Sequence, residues 1–157
     1  MGIENGNHRW QLCPFEELTN DELYQLLRLR QEVFVVEQNC AYLDLDGLDQ
    51  EAIHILCWQQ HRLAAYARCL APGQAFPESA LGRIVVSPTC RGQSLGRELV
   101  SRGIEFNMSH WPDSAIQIGA QAHLEEFYES LGFVSTGDRY LEDGIPHVHM
   151  IRPLAAD

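Results

Sequence analysis

The sequence predicts a single α/β domain built on a mixed sheet with helices on both faces. Three observations predict it. The 157 residues suit one domain of common size. Short apolar runs of strand length recur along the chain. Between them stand longer segments whose apolar residues repeat at helical spacing. No internal repeat, low-complexity stretch or linker interrupts residues 1–157, so the whole chain reads as one domain.

Residues 8–15 (HRWQLCPF) alternate as a short first strand. Thr19-Asn20-Asp21-Glu22 is a capping box, T-x-x-E, which opens a helix by satisfying two orphan N–H groups. Leu23, Leu26, Leu27, Val33 and Phe34 come next at helical spacing, so residues 20–38 read as one or two helices. Residues 39–51 form a polar, acidic loop. Residues 53–58 and 63–70 read as a hairpin turning at His61-Arg62. Pro72-Gly73 through Pro77 break the chain. Residues 80–87 read as a central strand ended by Pro88, and a helix is expected from about Ser94 to His110, ended at Trp111-Pro112. Residues 115–120 give the next strand. Residues 123–131 give a short helix closed by Gly132, and residues 133–137 and 147–152 supply the last strands.

Composition narrows the function. Lys and Arg total 11 against 22 Asp and Glu, a formal net charge of −11. That balance excludes a nucleic-acid partner resting on a basic footprint, but it suits a basic amine substrate. No apolar run approaches the roughly 20 residues of a membrane span, and Met1 to Asn7 lacks the order of a signal peptide. A cytoplasmic protein without membrane contact is expected. The five cysteines are odd in number and include no CxxC, so reduced, packed thiols are expected and no metal site.

The strongest local signal is the run Ile84-Val85-Val86-Ser87-Pro88-Thr89-Cys90-Arg91-Gly92-Gln93-Ser94-Leu95-Gly96-Arg97. A buried strand runs into a small-residue turn that opens a helix. Free N–H groups at a helix start cradle phosphates, aided by the helix dipole. Gly92 and Gly96 let backbone approach a ligand, and Arg91 and Arg97 offer charge-assisted bonds. Spacing alone also fits a plain strand–turn–helix connection. The absence of Lys-[Ser/Thr] and of G-x-G-x-x-G argues against nucleotide-binding loops of those kinds.

This run resembles motif A of the GNAT superfamily of N-acetyltransferases, whose loop reads Arg/Gln-x-x-Gly-x-Gly/Ala. Arg91, Ser94 and Gly96 fill those places, with Ser94 in place of the usual first glycine; a serine there suits a helix cap. Glu125-Glu126-Phe127-Tyr128-Glu129-Ser130-Leu131-Gly132-Phe133 resembles motif B, F-Y-x-x-x-G-F. Residues 30–38, 119–124 and 142–147 extend the resemblance to the ElaA-type branch, over roughly residues 10–152. It implies the acyl-CoA N-acyltransferase fold, with a mostly antiparallel sheet, and acetyl-CoA as cosubstrate. It further implies that Ile84, Val85 and Val86 bond the pantetheine arm through their backbone. Arg91, Gly92, Gln93, Ser94, Leu95, Gly96 and Arg97 would hold the pyrophosphate, and the strand at residues 116–120 would splay away to open a slot for the thioester. Tyr128 matches the tyrosine that protonates the departing thiolate; helical spacing alone also fits a core aromatic.

Attack by an amine needs a base. His147 and His149 stand two apart on a strand and so share a face. Glu142 is a second candidate, in a turn before Gly144. All of these also fit ordinary polar surface residues. The acceptor pocket is assigned to the early helices and the acidic loop: Arg30, Phe34, Glu37, Gln38 and Asp46, with Tyr42, Asp44 and Asp49 beside them. Their carboxylates suit an ammonium, and equally suit a solvated loop. The segment Asp44 to Asp49 misplaces its glycine for an EF-hand. The expected reaction is acetyl transfer to a primary amine of a small molecule or peptide. Two alternatives stand beside it: acylation of the acyl-homoserine-lactone-synthase kind, and a non-catalytic CoA-binding sensor or interaction protein. A homodimer is compatible with the family.

Overall fold

The computed structural model describes residues 3–5 and 8–154; residues 1, 2, 6 and 7, part of the stretch read for a leader, lie outside the described residues. Among the described residues eight strands form one sheet: β1 (Ile3–Asn5), β2 (His8–Pro14), β3 (Ile53–Gln59), β4 (Arg62–Leu70), β5 (Ser79–Val86), β6 (Ile116–Gln121), β7 (Val134–Glu142) and β8 (Ile145–Arg152). Their order is β1-β2-β3-β4-β5-β6-β8-β7. Every neighbouring pair is antiparallel except β5 and β6. The helices are α1 (Asn20–Arg30), α2 (Leu95–His110) and α3 (Glu125–Glu129).

Period-two alternation along β3 and β4 divides the core between two faces. Ile55, Cys57, Ala65, Ala67 and Cys69 face α2, where they meet Leu95, Leu99 and Val100. Leu56, Trp58 and Tyr66 face the other way, onto Leu26, Leu29 and Val33. Helices therefore cover both faces, as the sequence predicts. The close approach of α2 to β5 requires Gly103, where a Cβ would stand 2.5 Å from Leu81 Cδ1. All five cysteines are buried with free thiols.

The capping box forms as read: Glu22 N–H donates to Thr19 Oγ1 (3.1 Å) and Thr19 N–H to Glu22 Oε1 (2.9 Å). The segment after α1 is not a second α-helix. Gln31–Glu37 is a π-helical turn, with Gln38 N–H donating to the Val33 carbonyl and Cys40 N–H to Val35. Its wider winding aims Val33, Phe34 and Glu37 at one cavity. The strand expected at residues 133–137 runs on to Glu142. β7 is exposed nearly throughout and bulges between Ser135 and Arg139, so its alternation carries no apolar signal.

Candidate functional site

The site begins where two strands part. β5 and β6 pair only at Ser79↔Ile116 and Ala80↔Gln117, and from Gly82 onward the β6-facing edge of β5 has no strand partner among the described residues. A bulge turns that edge. Arg83 and Ile84 together oppose Ala67, between the pairs Arg68↔Gly82 and Tyr66↔Val85, and Arg83 takes a left-handed φ of 50°. The opening leads into a cavity of about 630 Å³. Its β5 wall is Gly82 to Val86 and its β6 wall Ile118, Gly119 and Gln121. Gly119 makes room for Tyr140, since a Cβ there would stand 2.6 Å from the Tyr140 hydroxyl and push that side chain aside.

Beyond Val86 the chain passes a 3-10 turn (Pro88–Cys90), then Gly92 at φ 85° and Ser94 at φ 60°, and enters α2. Ser94 does not cap the helix. It sits in the left-handed region with no side-chain bond to the first turn, which corrects the expected cap and explains why glycine suits this place. The first N–H groups of α2 are thereby left without a capping side chain. Gly96 is forced neither by φ nor by packing, since a Cβ there would meet only Val86 Cγ2 at 3.9 Å.

Of the ten residues assigned to the donor, Ile84, Val85, Val86 and Arg91 line the cavity, Gly92, Gln93 and Ser94 form the turn beside it, and Gly96 lies in the first turn of α2. Leu95 and Arg97 contribute only backbone to that helix start. The Leu95 side chain is core, and Arg97 donates to Ser130 Oγ (2.7 Å) while lying over the Phe127 ring. Arg91 makes a bidentate pair with Glu37, Nη1 to Oε2 at 3.0 Å and Nη2 to Oε1 at 2.6 Å.

Tyr128 is buried on the cavity wall, packed edge-to-face on Phe127 and Phe133. Burial pushes its phenol up to about 12, so the proton stays on oxygen throughout the neutral range. Across the cavity, His147 Nε2 lies 3.4 Å from Glu142 Oε2, and His147 Nδ1 lies 2.7 Å from the Ile145 carbonyl. A carbonyl only accepts, so Nδ1 carries the proton and Nε2 faces the carboxylate. The turn between β7 and β8, with Asp143 at φ 52° and Gly144 at φ 81°, holds Glu142 and Asp143 at the wall. His149 shares the His147 face, and Tyr140 stacks on both rings at 5.6 and 4.5 Å, but His149 does not line the cavity.

Phe34, Glu37 and Gln38 line the cavity as assigned. Arg30 and Asp46 do not, and their assignment to the acceptor is corrected. Arg30 is fully buried, donating to Asp44 Oδ2 and Asp49 Oδ1, each at 2.7 Å. Asp46 is paired with Arg68 and Arg83. The acidic loop binds the protein's own arginines. Cavity residues that the sequence did not single out include Cys40 and Leu43, with Gln121, His123 and Leu124 known only as part of a motif run.

Residues 18–154 match the family model described as an acetyltransferase (GNAT) domain. Protein ElaA of Escherichia coli is 46% identical over 145 residues, 91% of this chain and 95% of ElaA. Its crystal structure superposes with a TM-score of 0.87, covering 93% of this chain and 99% of that one. The crystal structure of an acyl-CoA N-acyltransferase from Pseudomonas aeruginosa also gives 0.87, at 42% identity, over 92% of this chain and 98% of that one. The acyl-homoserine-lactone synthase LasI, at 15% identity and a TM-score of 0.70, over 95% of this chain and 91% of LasI, shares the fold alone.

Proposed function

The chain belongs to the GNAT acetyltransferase family, and we propose that it transfers an acetyl group from acetyl-CoA to a primary amine by direct attack. One observation carries this reading: an unpartnered strand edge leads straight to an uncapped helix start, along one wall of a cavity that also holds a buried tyrosine. The residues fit the donor. The free edge of Gly82 to Val86 offers backbone groups to the amides of a pantetheine arm. The start of α2 offers N–H groups and a dipole to a pyrophosphate. At Gly96 a Cβ would meet only Val86 Cγ2, at 3.9 Å, among the described residues, which leaves room beside the helix start.

A bound thioester supplies an activated acyl carbon. Tyr128, protonated across the neutral range, donates a hydrogen bond where negative charge develops on sulfur. The Glu142–His147 pair stands on the cavity wall to accept the proton of an incoming ammonium, directly or through water. The carboxylates of Glu37, Glu142 and Asp143 give the acceptor end a negative character suited to a cation.

Titration calorimetry with acetyl-CoA tests the donor half, on the wild type and on Gly96→Trp. Binding lost in the variant supports the site; no binding by a folded wild type overturns it. Longer acyl-CoA donors in the same assay separate acetyl transfer from the lactone-synthase kind. CoA binding without transfer across a broad amine panel would favour the sensor.

A further inference from the structure

We infer that Glu37 and the donor pyrophosphate compete for Arg91, so that donor binding releases the Glu37 carboxylate into the cavity to receive the acceptor ammonium. The inference rests on the acyl-CoA reading above and deepens it. It makes the acceptor site a product of donor binding, and it identifies the acceptor class as a cationic primary amine.

The geometry points to this from both ends. Arg91 belongs to the turn that precedes α2, and Glu37 ends the π-helical turn, 54 positions away in sequence. Both residues line the cavity. The pair is bidentate, so the guanidinium presents to Glu37 the same planar fork with which arginine recognises phosphate. A pyrophosphate on the neighbouring N–H groups brings negative charge close to the Glu37 carboxylate, and like charges sharing one guanidinium repel.

Magnitude decides which contact yields. The Arg91 and Glu37 side chains are 46% and 40% exposed, and exposed pairs of this kind contribute little. The buried pairs of Arg30 are of another order and do not exchange. The contact built to give way is therefore the exposed one. Once released, Glu37 has a role that the other carboxylates of residues 20–51 do not fill, because none of them lines the cavity. Asp44 and Asp49 are buried with Arg30, and Asp46 is held by Arg68 and Arg83.

The test is calorimetry of CoA, with pantetheine as a probe that lacks the pyrophosphate, on wild type, Glu37→Gln, Arg91→Gln and the double variant. Glu37→Gln is expected to bind CoA about two- to tenfold more tightly, with pantetheine unchanged. The double variant is expected to match Arg91→Gln, because the two residues act on one contact. Carbon-13 titration of the Glu37 carboxyl gives a second readout. Arg91 holds that pKa low, and CoA is expected to move it back up toward the ordinary carboxylate range. CoA affinity unchanged or weakened in Glu37→Gln, a matching gain for pantetheine, or a Glu37 titration indifferent to CoA would each overturn the inference while leaving the donor site standing. Failure of the wild type to bind CoA would remove both.

Discussion

Two clusters of charge, one holding Asp44 and the other Glu37 a few residues before it, behave as opposites. In the acidic loop, Asp44, Asp46 and Asp49 close on Arg30, Arg68 and Arg83. Asp49 accepts from two guanidiniums, Arg30 at 2.7 Å and Arg68 at 2.9 Å, and Asp46 accepts from Arg68 and Arg83. Arg83 Nε stands 2.8 Å from Asp44 Oδ1 at an angle too bent for a hydrogen bond, and the ionic contact remains. At the cavity, Glu37, Arg91, Glu142 and His147 lie at the wall with one side open. The first cluster has spent its charge on itself and fixes where the loop runs. The second keeps charge where a ligand can reach it. Burial, more than residue type, separates a structural carboxylate from one available to a substrate.

Breaking the first cluster is expected to cost stability, and breaking the second to cost function. Asp49→Ala leaves two buried arginines short of a partner and should destabilise the fold by about 3–5 kcal/mol in urea denaturation. Glu37→Gln, an equally small change at an exposed pair, should stay within about 0.5 kcal/mol of wild type. A loss at Glu37 as large as that at Asp49 would erase the distinction. Next in size is Tyr128→Phe. It keeps the ring against Phe127 and Phe133 and removes only the proton donor. Turnover should fall by about 10²-fold, near 2.7 kcal/mol on the barrier, with the unfolding midpoint held.

Acid sharpens the comparison further. Burial alone would raise the Asp46 and Asp49 pKa values, but hydrogen bonds from Arg68 and Arg30 overcome it and hold both below the ordinary range. Groups depressed in the folded state stabilise it fully above their unfolded pKa near 3.9, and that stability is lost as pH falls through the folded values. The urea midpoint should therefore be insensitive to these groups at neutral pH and fall below about pH 4, by at most about 1.4 kcal/mol per pH unit for each carboxylate. Asp49→Asn should flatten that fall. Arg30 and Arg68 are raised above an already high value, so their contribution is lost only at extreme alkaline pH.

Much of the fold and site was legible in the residues. The capping box at Thr19, the strand into Gly92 and the F-Y-x-x-x-G-F run at Phe127 each carry a local physical demand that sequence expresses directly. The acidic loop shows the limit. Asp44, Asp46 and Asp49 read as a patch waiting for a cation because the cations that satisfy them, Arg68 and Arg83, come from strands read only for their apolar pattern. The π-helical turn escaped for a related reason: its apolar spacing is that of a helix, and its widening comes from packing. Cys40 and Leu43 carry no motif at all and reach the cavity by topology.

The smallest expected effect tests the donor turn itself. Ser94 holds φ at 60°, in a region where a Cβ strains against its own backbone by roughly 1–2 kcal/mol. Glycine adopts that conformation freely but gives the unfolded chain more freedom, which offsets part of the gain. Ser94→Gly should thus stabilise the protein by about 0.5–1 kcal/mol in denaturant unfolding. The side chain caps nothing, so its loss removes no bond from α2. Acetyl-CoA affinity should hold or improve, because the turn keeps its left-handed backbone. Weaker binding in this variant would instead mean that the Ser94 hydroxyl contacts the donor directly, making serine at this place a ligand and no longer a strained substitute for glycine.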